Sequence, residues 1–324
     1  MAIYTRRALL GLGGFTAVAV ATGCTNAGAG SATGSSTNQT WSHALTGAGG
    51  QQITLDRPPE RLVVDTYAVG AMWPYGIRPV GYWGYSPDDP TTVGVSDLST
   101  MELVGSDAEF DLEKVAALGP DLLIGYSSDG IGWPWWSGAD VIGQATKVAP
   151  FVPITFGRLT TVQLIEEYRL LARSLGGDVE SDQVAADKQV FDDNVARLRT
   201  LAAQKKLRVL PLQANVDGLY VGVNLHVLRF LAEQGIQLVT AEPTKPGGAW
   251  ASLSWEQIGD YRADLILDFE SSTDDARANP VWQRLPAVAA GQLTEWNDKR
   301  ANHYGNYGAW LGTLADAYEK AEPL

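Results

Sequence analysis

The 324-residue chain contains one cysteine, three histidines and three methionines. A single cysteine cannot form an intramolecular disulfide. Three histidines are also too few for a receptor that holds a bare metal ion through several imidazole and carboxylate ligands. We therefore interpret His43, His226 and His303 as surface or core residues, and we expect neither a metal site nor a resident cofactor.

Basic side chains and long apolar runs are also scarce. The chain has 24 Lys and Arg against 37 Asp and Glu, a net charge of −13, which makes nucleic acid a poor partner. The apolar run at residues 9–21 is too short to span a bilayer. This run follows Arg6-Arg7 and precedes Thr22-Gly23-Cys24. A basic segment, an apolar segment and small residues in this order are typical of an export signal peptide, which we predict over residues 1–23. Adjacent arginines favour the twin-arginine route, and the general secretory route stays open.

Cys24 ends the segment Ala21-Thr22-Gly23-Cys24, which resembles the lipobox of bacterial lipoproteins. The resemblance implies that Cys24 is lipidated, becomes the first mature residue and holds the protein at the outer face of the cell membrane. The alternative is an unmodified buried cysteine. Small and polar residues dominate the segment that follows, and such a composition behaves as a flexible coil. We predict a tether over residues 24–42.

A faint internal repeat sets the expected architecture. Residues 111–124 align with residues 254–267 at one fixed offset, pairing Glu113 with Glu256 and Asp121 with Asp264. Each copy predicts a short amphipathic helix that begins at Asp111 or Ser254, followed by a tight turn and an apolar strand.

Further segments repeat in the same order. Residues 61–65 and 208–212 are predicted first strands, and residues 76–81 and 235–239 are predicted second strands. Apolar strands that alternate with helices are typical of parallel sheets covered on both faces. We therefore predict an α/β fold with two Rossmann-like lobes.

One long helix is predicted between the lobes, because apolar residues recur on one helical face from Thr160 to Leu175 and Gly176-Gly177 follows. A second helix is predicted over residues 182–204. The predicted divisions are an N-terminal lobe at 43–158, an interlobe helix at 159–177 and a C-terminal lobe at 178–324.

These elements, with residues 279–288 near the end, resemble in order and spacing the ABC-importer binding proteins for ferric siderophores and cobalamin. The resemblance implies a monomeric receptor rather than an enzyme, with its ligand in a cleft between two lobes. It also implies an ABC permease dimer with its ATPase as the partner. The resemblance further implies that a glutamate on each lobe docks to the permease, and the matching residues in this chain are Glu113 and Glu256. The alternative is that both only complement helix dipoles.

The predicted cleft is aromatic, because ligands of open α/β sheets sit beyond the carboxyl ends of the strands. Tryptophan and tyrosine rings there can hold a bulky ligand, including a cationic one. We assign Trp282 to the core. The predicted ligand contacts are Trp73, Trp83, Tyr85, Trp133, Trp135, Trp136, Arg158, Tyr220, Trp250, Trp296 and Tyr304.

Few basic residues follow the predicted strands; Arg158 and Lys245 are the exceptions. A weakly basic cleft favours a hydroxamate siderophore over an anionic catecholate, and iron would enter only inside its chelator. Cobalamin, haem or another bulky ligand stays open.

A hydrolase is the remaining alternative, because residues 125–130 resemble a nucleophile elbow. Asp129 stands where the elbow needs glycine, so the sharp turn is not encoded.

Overall fold

The computed structural model describes residues 40–45, 51–106, 109–127, 139–157 and 159–324. A hairpin of β1 (Trp41–Leu45) and β2 (Gln51–Leu55) precedes two six-stranded sheets. Trp41 is buried and its indole N–H donates to the carbonyl of Ser174 at 2.8 Å. The predicted tether therefore extends too far, because Trp41 and Ser42 belong to β1. No helix in the described ranges is long and apolar enough to cross a membrane.

The first sheet is almost entirely parallel. Its elements are β3 (Leu62–Asp65), α1 (Thr66–Met72), β4 (Gly81–Gly84), α2 (Pro90–Val93), β5 (Glu102–Ser106), β6 (Glu109–Phe110), α3 (Leu112–Leu118), β7 (Leu122–Ser127), α4 (Ala139–Val148) and β8 (Phe151–Thr155), with 3-10 turns at Trp73–Tyr75 and Leu98–Thr100. The strand order is β6-β5-β4-β3-β7-β8, and β6 alone among them is antiparallel to its neighbour.

The second sheet is mixed. Its elements are α6 (Asp182–Lys205), β9 (Arg208–Asn215), β10 (Gly218–Gly222), α7 (His226–Glu233), β11 (Gln237–Leu238), β12 (Trp250–Leu253), a 3-10 turn at Gln257–Asp260, β13 (Leu265–Phe269), α8 (Asp274–Arg277), α9 (Pro280–Gln283), α10 (Pro286–Ala289), β14 (Leu293–Trp296) and α11 (Tyr304–Lys320). The order is β12-β10-β9-β13-β14, with β11 beside β9. β10 is antiparallel to both of its neighbours, β9 and β12. Only two residues join it to β9, and so short a turn requires antiparallel strands.

The helix between the sheets is α5 (Thr161–Ser174), which confirms the predicted helix. It begins with a capping box, in which the backbone N–H of Thr160 donates to Oε1 of Gln163 at 2.8 Å. Leu164 and Tyr168 pack into the core of the first sheet, and Ile165 packs into the core of the second. Both lobes therefore bury side chains of the same helix.

The two strands that end the repeat are held in the same way. Oδ2 of Asp121, just before β7, accepts the backbone N–H of Glu60 at 2.9 Å and of Arg61 at 3.0 Å, next to the start of β3. Oδ2 of Asp264, just before β13, accepts the backbone N–H of Arg208 at the start of β9 at 2.7 Å. The repeated aspartate thus joins the amino ends of two adjacent strands in each lobe.

The helices of the repeat differ. Oδ1 of Asp111 accepts the backbone N–H of Lys114 at 2.9 Å and caps α3, as predicted. In the second copy only the 3-10 turn at Gln257–Asp260 forms, and Ser254 does not cap it. Instead, the backbone N–H of Ser254 donates to Oε1 of Gln257 at 2.8 Å.

The predicted second strands also begin later than expected. Gly76 and Gly235 have φ angles of 84° and 90°, a left-handed conformation that ends the preceding helical turn. β4 starts only at Gly81, and β11 covers two residues, Gln237 and Leu238.

Candidate functional site

The loops that follow the carboxyl ends of the two sheets touch each other. Oγ1 of Thr91, beyond β4, donates to Oε2 of Glu270, beyond β13, at 2.7 Å. The Thr91 carbonyl accepts the N–H of Ala301, beyond β14, at 2.9 Å. The Lys299 ammonium lies 4.2 Å from the centre of the Tyr85 ring. We call these five residues the interlobe seam.

Asp65 connects the first turn of α1 to the end of β7 at the carboxyl edge of the first sheet. It ends β3, and its Oδ1 accepts the N–H of Ala68 at 2.8 Å as the N-cap of α1. Its Oδ2 accepts the N–H of Tyr126 at the end of β7. Burial raises the pKa of Asp65 to about 7, although these backbone hydrogen bonds act in the opposite direction. The carboxyl therefore positions Tyr126 and the first turn of α1.

An aromatic cluster lies beside Asp65. The Tyr126 ring centre is 5.7 Å from that of Tyr67 and 4.7 Å from that of Phe156. Burial raises the pKa of Asp298, beyond β14, to about 6. Burial, reinforced by the charges of Asp298 and Asp65, raises the pKa of Tyr126 to about 12. Burial likewise raises the pKa of Tyr67, so both tyrosines keep their phenol protons and can act as hydrogen-bond donors.

The second lobe has a cavity of about 450 Å³ on one face of β9, β10 and β12. Register explains its composition: Tyr220 lies opposite Gln213 on one side and Ser252 on the other, so all three side chains share a face. Trp250 extends this face and packs 5.4 Å from Phe269. The lining residues include Gln213, Asn215, Tyr220, Lys245, Trp250 and Ser252.

Three predicted ligand contacts therefore lie where a ligand could reach them. Tyr85 is 44% exposed at the interlobe seam, and Tyr220 and Trp250 line the cavity. Their role in ligand binding stays a prediction.

Trp83 and Trp296 need correction, because they are 1% and 0% exposed and belong to the cores. Trp83 packs edge-on against Phe110 with ring centres 5.7 Å apart, and Trp296 packs against Phe269 at 5.2 Å. Both lie inside strands rather than beyond them, since β4 runs to Gly84 and β14 ends at Trp296 itself. Trp282 is 2% exposed, as expected of a core residue.

Trp73 and Tyr304 make their side-chain contacts within the protein. Trp73 follows α1, which carries the chain from the carboxyl end of β3 back towards the start of β4, and its ring stacks on the Arg78 guanidinium at 3.8 Å. Tyr304 begins α11, is 5% exposed and donates its hydroxyl hydrogen to Oε1 of Glu166 on α5. The predicted ligand contact of Trp73 is therefore wrong, because this residue lies at the other edge of the sheet. Tyr304 closely follows Ala301 of the seam but is buried with its hydroxyl engaged, and its ligand contact stays a prediction.

Several predicted residues lie outside the described ranges. They are Cys24, Trp133, Trp135, Trp136 and Arg158. Lipidation of the first and ligand contact by the other four stay predictions.

Four polar residues of this region were missed: Thr91, Glu270, Asp298 and Lys299. The last two follow β14 directly, so their position after a strand was an available signal. Thr91 and Glu270 had no such signal, because their roles depend on contact between loops that are 179 residues apart in the chain.

The proposed docking glutamates are both exposed. Glu113 lies in the first turn of α3, and Glu256 directly precedes the 3-10 turn. A hydrogen bond from the Ser254 hydroxyl lowers the pKa of Glu256. Both carboxylates are thus available to a partner, and docking stays a prediction.

His226 and His303 make structural contacts. The ring nitrogens of His226 lie 3.0 Å from Oγ1 of Thr161 and 2.8 Å from the Asp298 carbonyl oxygen. His303 caps α11 by accepting the N–H of Asn306. Among the described residues, no group of three His, Cys, Asp or Glu side chains could hold a metal ion.

Comparison with known proteins places this geometry among transport receptors. The family model described as "Periplasmic binding protein" matches residues 78–299. The solved structure of DesE, a ferric-siderophore receptor protein from Streptomyces coelicolor, superimposes with a TM-score of 0.78 at 30% identity, covering 88% of this chain and 99% of that chain.

Two curated proteins of Bacillus subtilis are also similar. The probable siderophore-binding lipoprotein YfiY is 25% identical over 285 residues, 82% of each chain. The Fe(3+)-citrate-binding protein YfmC is 23% identical over 252 residues, which cover 75% of this chain and 74% of YfmC.

Proposed function

Because the chain belongs to the periplasmic binding protein family, we propose that it captures a ferric siderophore outside the cytoplasm and delivers it to an ABC permease dimer with its ATPase. The observation that carries the proposal is the pair of α/β sheets whose carboxyl edges meet at the interlobe seam, with the aromatic cluster of Tyr67, Tyr126 and Phe156 at the edge of the first sheet. The likeness to DesE, a ferric-siderophore receptor, supports the choice of ligand. Iron enters this site only within its chelator, and the protein acts as a monomeric receptor rather than an enzyme.

A hydroxamate siderophore fits the charges of the described seam. The Arg300 guanidinium pairs with Glu270 at 2.7 Å, and the Lys299 ammonium lies over the Tyr85 ring. The charges of Arg300 and Lys299 are thus engaged within the protein. The phenols of Tyr67 and Tyr126 stay protonated, so these two side chains add no negative charge of their own. A trianionic catecholate complex would find less compensating charge.

The amino-terminal features complete the proposal. Export through the twin-arginine route and lipidation of Cys24 would hold the receptor at the outer face of the membrane, and the name of YfiY as a lipoprotein supports this arrangement. Glu113 and Glu256, one on each lobe, would meet basic residues of the two permease subunits. Such charge pairs set register and association rate and weaken with salt.

Fluorescence titration tests the ligand. We expect saturable quenching of tryptophan emission by ferrioxamine-type or ferrichrome-type complexes, with the iron-free chelators as controls. Catecholate complexes, cobalamin and haem are titrated in parallel. Absence of binding by every siderophore would overturn the proposal, and saturable binding of cobalamin or haem alone would replace it. Native mass spectrometry of receptor from iron-starved cultures reports the mass of the natural ligand.

A further inference from the structure

We propose that Thr91, Glu270 and Ala301 form a latch that holds the two lobes at a fixed spacing and limits how fast ligand leaves. Thr91 belongs to the first lobe, and the other two belong to loops of the second lobe. The effect on ligand release rests on the proposed function, whereas the latch itself can be tested without ligand.

One first-lobe residue makes both contacts. The Thr91 hydroxyl donates to Oε2 of Glu270 at 2.7 Å, while the Thr91 carbonyl accepts the N–H of Ala301 at 2.9 Å. The first is a charge-assisted hydrogen bond, which is stronger than one between neutral groups. Because both bonds end on the same residue, separation of the lobes here must break them together.

Each half of the latch is held within its own lobe. In the second lobe, Oε1 of Glu270 accepts from Nη2 of Arg300 at 2.7 Å, and Oε2 also accepts from Nδ2 of Asn297 at 3.1 Å. In the first lobe, Oδ1 of Asp89 accepts the N–H of Thr91 at 2.9 Å as the N-cap of α2. The two surfaces therefore meet in set orientations, which reduces the entropy that is lost when they join.

Helix α1 packs closely behind the latch. A Cβ added to Gly70 of α1 would lie 2.1 Å from the Thr92 carbonyl oxygen and 3.0 Å from Cβ of Ala301. Glycine is therefore required where α1 approaches both sides of the seam. The helix that packs behind the latch also carries Tyr67 of the aromatic cluster.

Hydrogen exchange of the Ala301 amide reports opening directly. Thr91→Val keeps the shape of the side chain and removes only the hydroxyl donor. We expect exchange about tenfold faster than in the unaltered protein, since loss of a charge-assisted bond of about 1.4 kcal/mol shifts the opening equilibrium by that factor. Thr91→Ser retains the donor and should restore protection.

Thr200→Val is the matched control, because the hydroxyl of Thr200 donates to the Ala196 carbonyl within α6 at 3.0 Å, in the second lobe. The exchange rate of the Ala301 amide in this control should stay within about twofold of the rate in the unaltered protein, because surface substitutions usually have small effects on stability. Equal Ala301 exchange in the Thr91→Val and unaltered proteins would overturn the latch.

Ligand release is measured by displacement of a bound ferric hydroxamate, followed through recovery of tryptophan fluorescence. Dissociation should accelerate about tenfold in Thr91→Val and remain unchanged in Thr91→Ser and Thr200→Val. If the unaltered protein binds a siderophore and its release rate equals that of Thr91→Val, the control of release by the latch is wrong. If no siderophore binds at all, the proposed function fails, while Ala301 exchange still decides whether the latch exists.

Discussion

Replacement of Asp264 by asparagine tests whether the repeated aspartate stabilises the fold. Oδ2 of Asp264 accepts from the backbone N–H and Nε of Arg208 at 2.7 and 3.0 Å. Oδ1 accepts from Nη2 of Arg208 at 2.6 Å and from the N–H of Leu324 at 2.9 Å. The substituted side chain would carry an amide NH₂ in place of one carboxylate oxygen, and that group cannot accept these donors. The change therefore removes a charge and leaves donors of the strand start unpaired.

The expected loss follows from proton linkage. The hydrogen bonds with Arg208 lower the pKa of Asp264 from 3.8 to about 2. At about 1.4 kcal/mol per pKa unit the ionised carboxylate contributes at most about 2 to 3 kcal/mol to stability at neutral pH, and about 2 kcal/mol once screening of the partly exposed partner is included. Asp264 itself is 4% exposed, but Arg208 is 38% exposed. Water screening therefore keeps this figure below the cost of breaking a fully buried pair.

Urea unfolding at several pH values provides the measurement. Because the folded-state pKa is depressed, the contribution is complete above pH 3.8 and is lost as the pH falls towards 2. The free-energy difference between Asp264→Asn and the unaltered protein should be about 2 kcal/mol at pH 7 and should shrink across that acidic window.

Asp121→Asn is the matched comparison in the first lobe. Burial acts to raise the pKa of Asp121, but the N–H groups of Glu60 and Arg61 and the charge of Arg57 lower it overall. Its ionic partner Arg57 is 63% exposed, so this substitution should cost less, about 1 kcal/mol. The reasoning would be refuted if both substitutions lowered the free energy of unfolding equally. It would also be refuted if the loss of stability in Asp264→Asn did not change with pH.

Further predictions concern the core, the ligand, the permease and the anchor. Trp296→Ala should destabilise the fold by about 3–5 kcal/mol in urea unfolding, because it empties a buried site; a loss below about 1 kcal/mol would place Trp296 outside the core. Trp250→Ala should weaken siderophore affinity about tenfold by titration, and unchanged affinity would remove it from the site. The Glu113→Ala, Glu256→Ala double variant should keep ligand affinity but lose importer-dependent uptake; undiminished uptake contradicts docking. Cys24→Ala should abolish metabolic lipid labelling, and persistent labelling would contradict the anchor.

Local patterns predicted most of the fold. The apolar face from Thr160 to Leu175 became α5 at Thr161–Ser174, and the predicted helix at 182–204 became α6 at Asp182–Lys205. These predictions succeeded because helix periodicity and capping depend on neighbours within one or two turns. Asp121 and Asp264, which the repeat pairs, also have equivalent roles. Each accepts backbone N–H groups at the start of the neighbouring strand.

The predicted ligand site was less accurate. Trp83 and Trp296 were predicted to follow strands, but both lie within strands. At these positions their side chains point into the hydrophobic cores. Trp73 does follow the first strand of the sheet, as predicted, but α1 lies between them and carries the chain to the other edge of the sheet. A shift of one or two residues at a strand end is enough to exchange a ligand-facing side chain for a buried one.

By itself, the sequence determined the α/β class, the repeat, the helix between the lobes and the family resemblance, since all of these follow from short-range patterns and their order. Only the tertiary structure decided which loops meet. Thr91 contacts Glu270 and Ala301, and Lys299 lies over Tyr85, across separations of about 200 residues. Such contacts leave no periodic signal, because they depend on how the two sheets pack on α5 and not on the residues beside them in the chain.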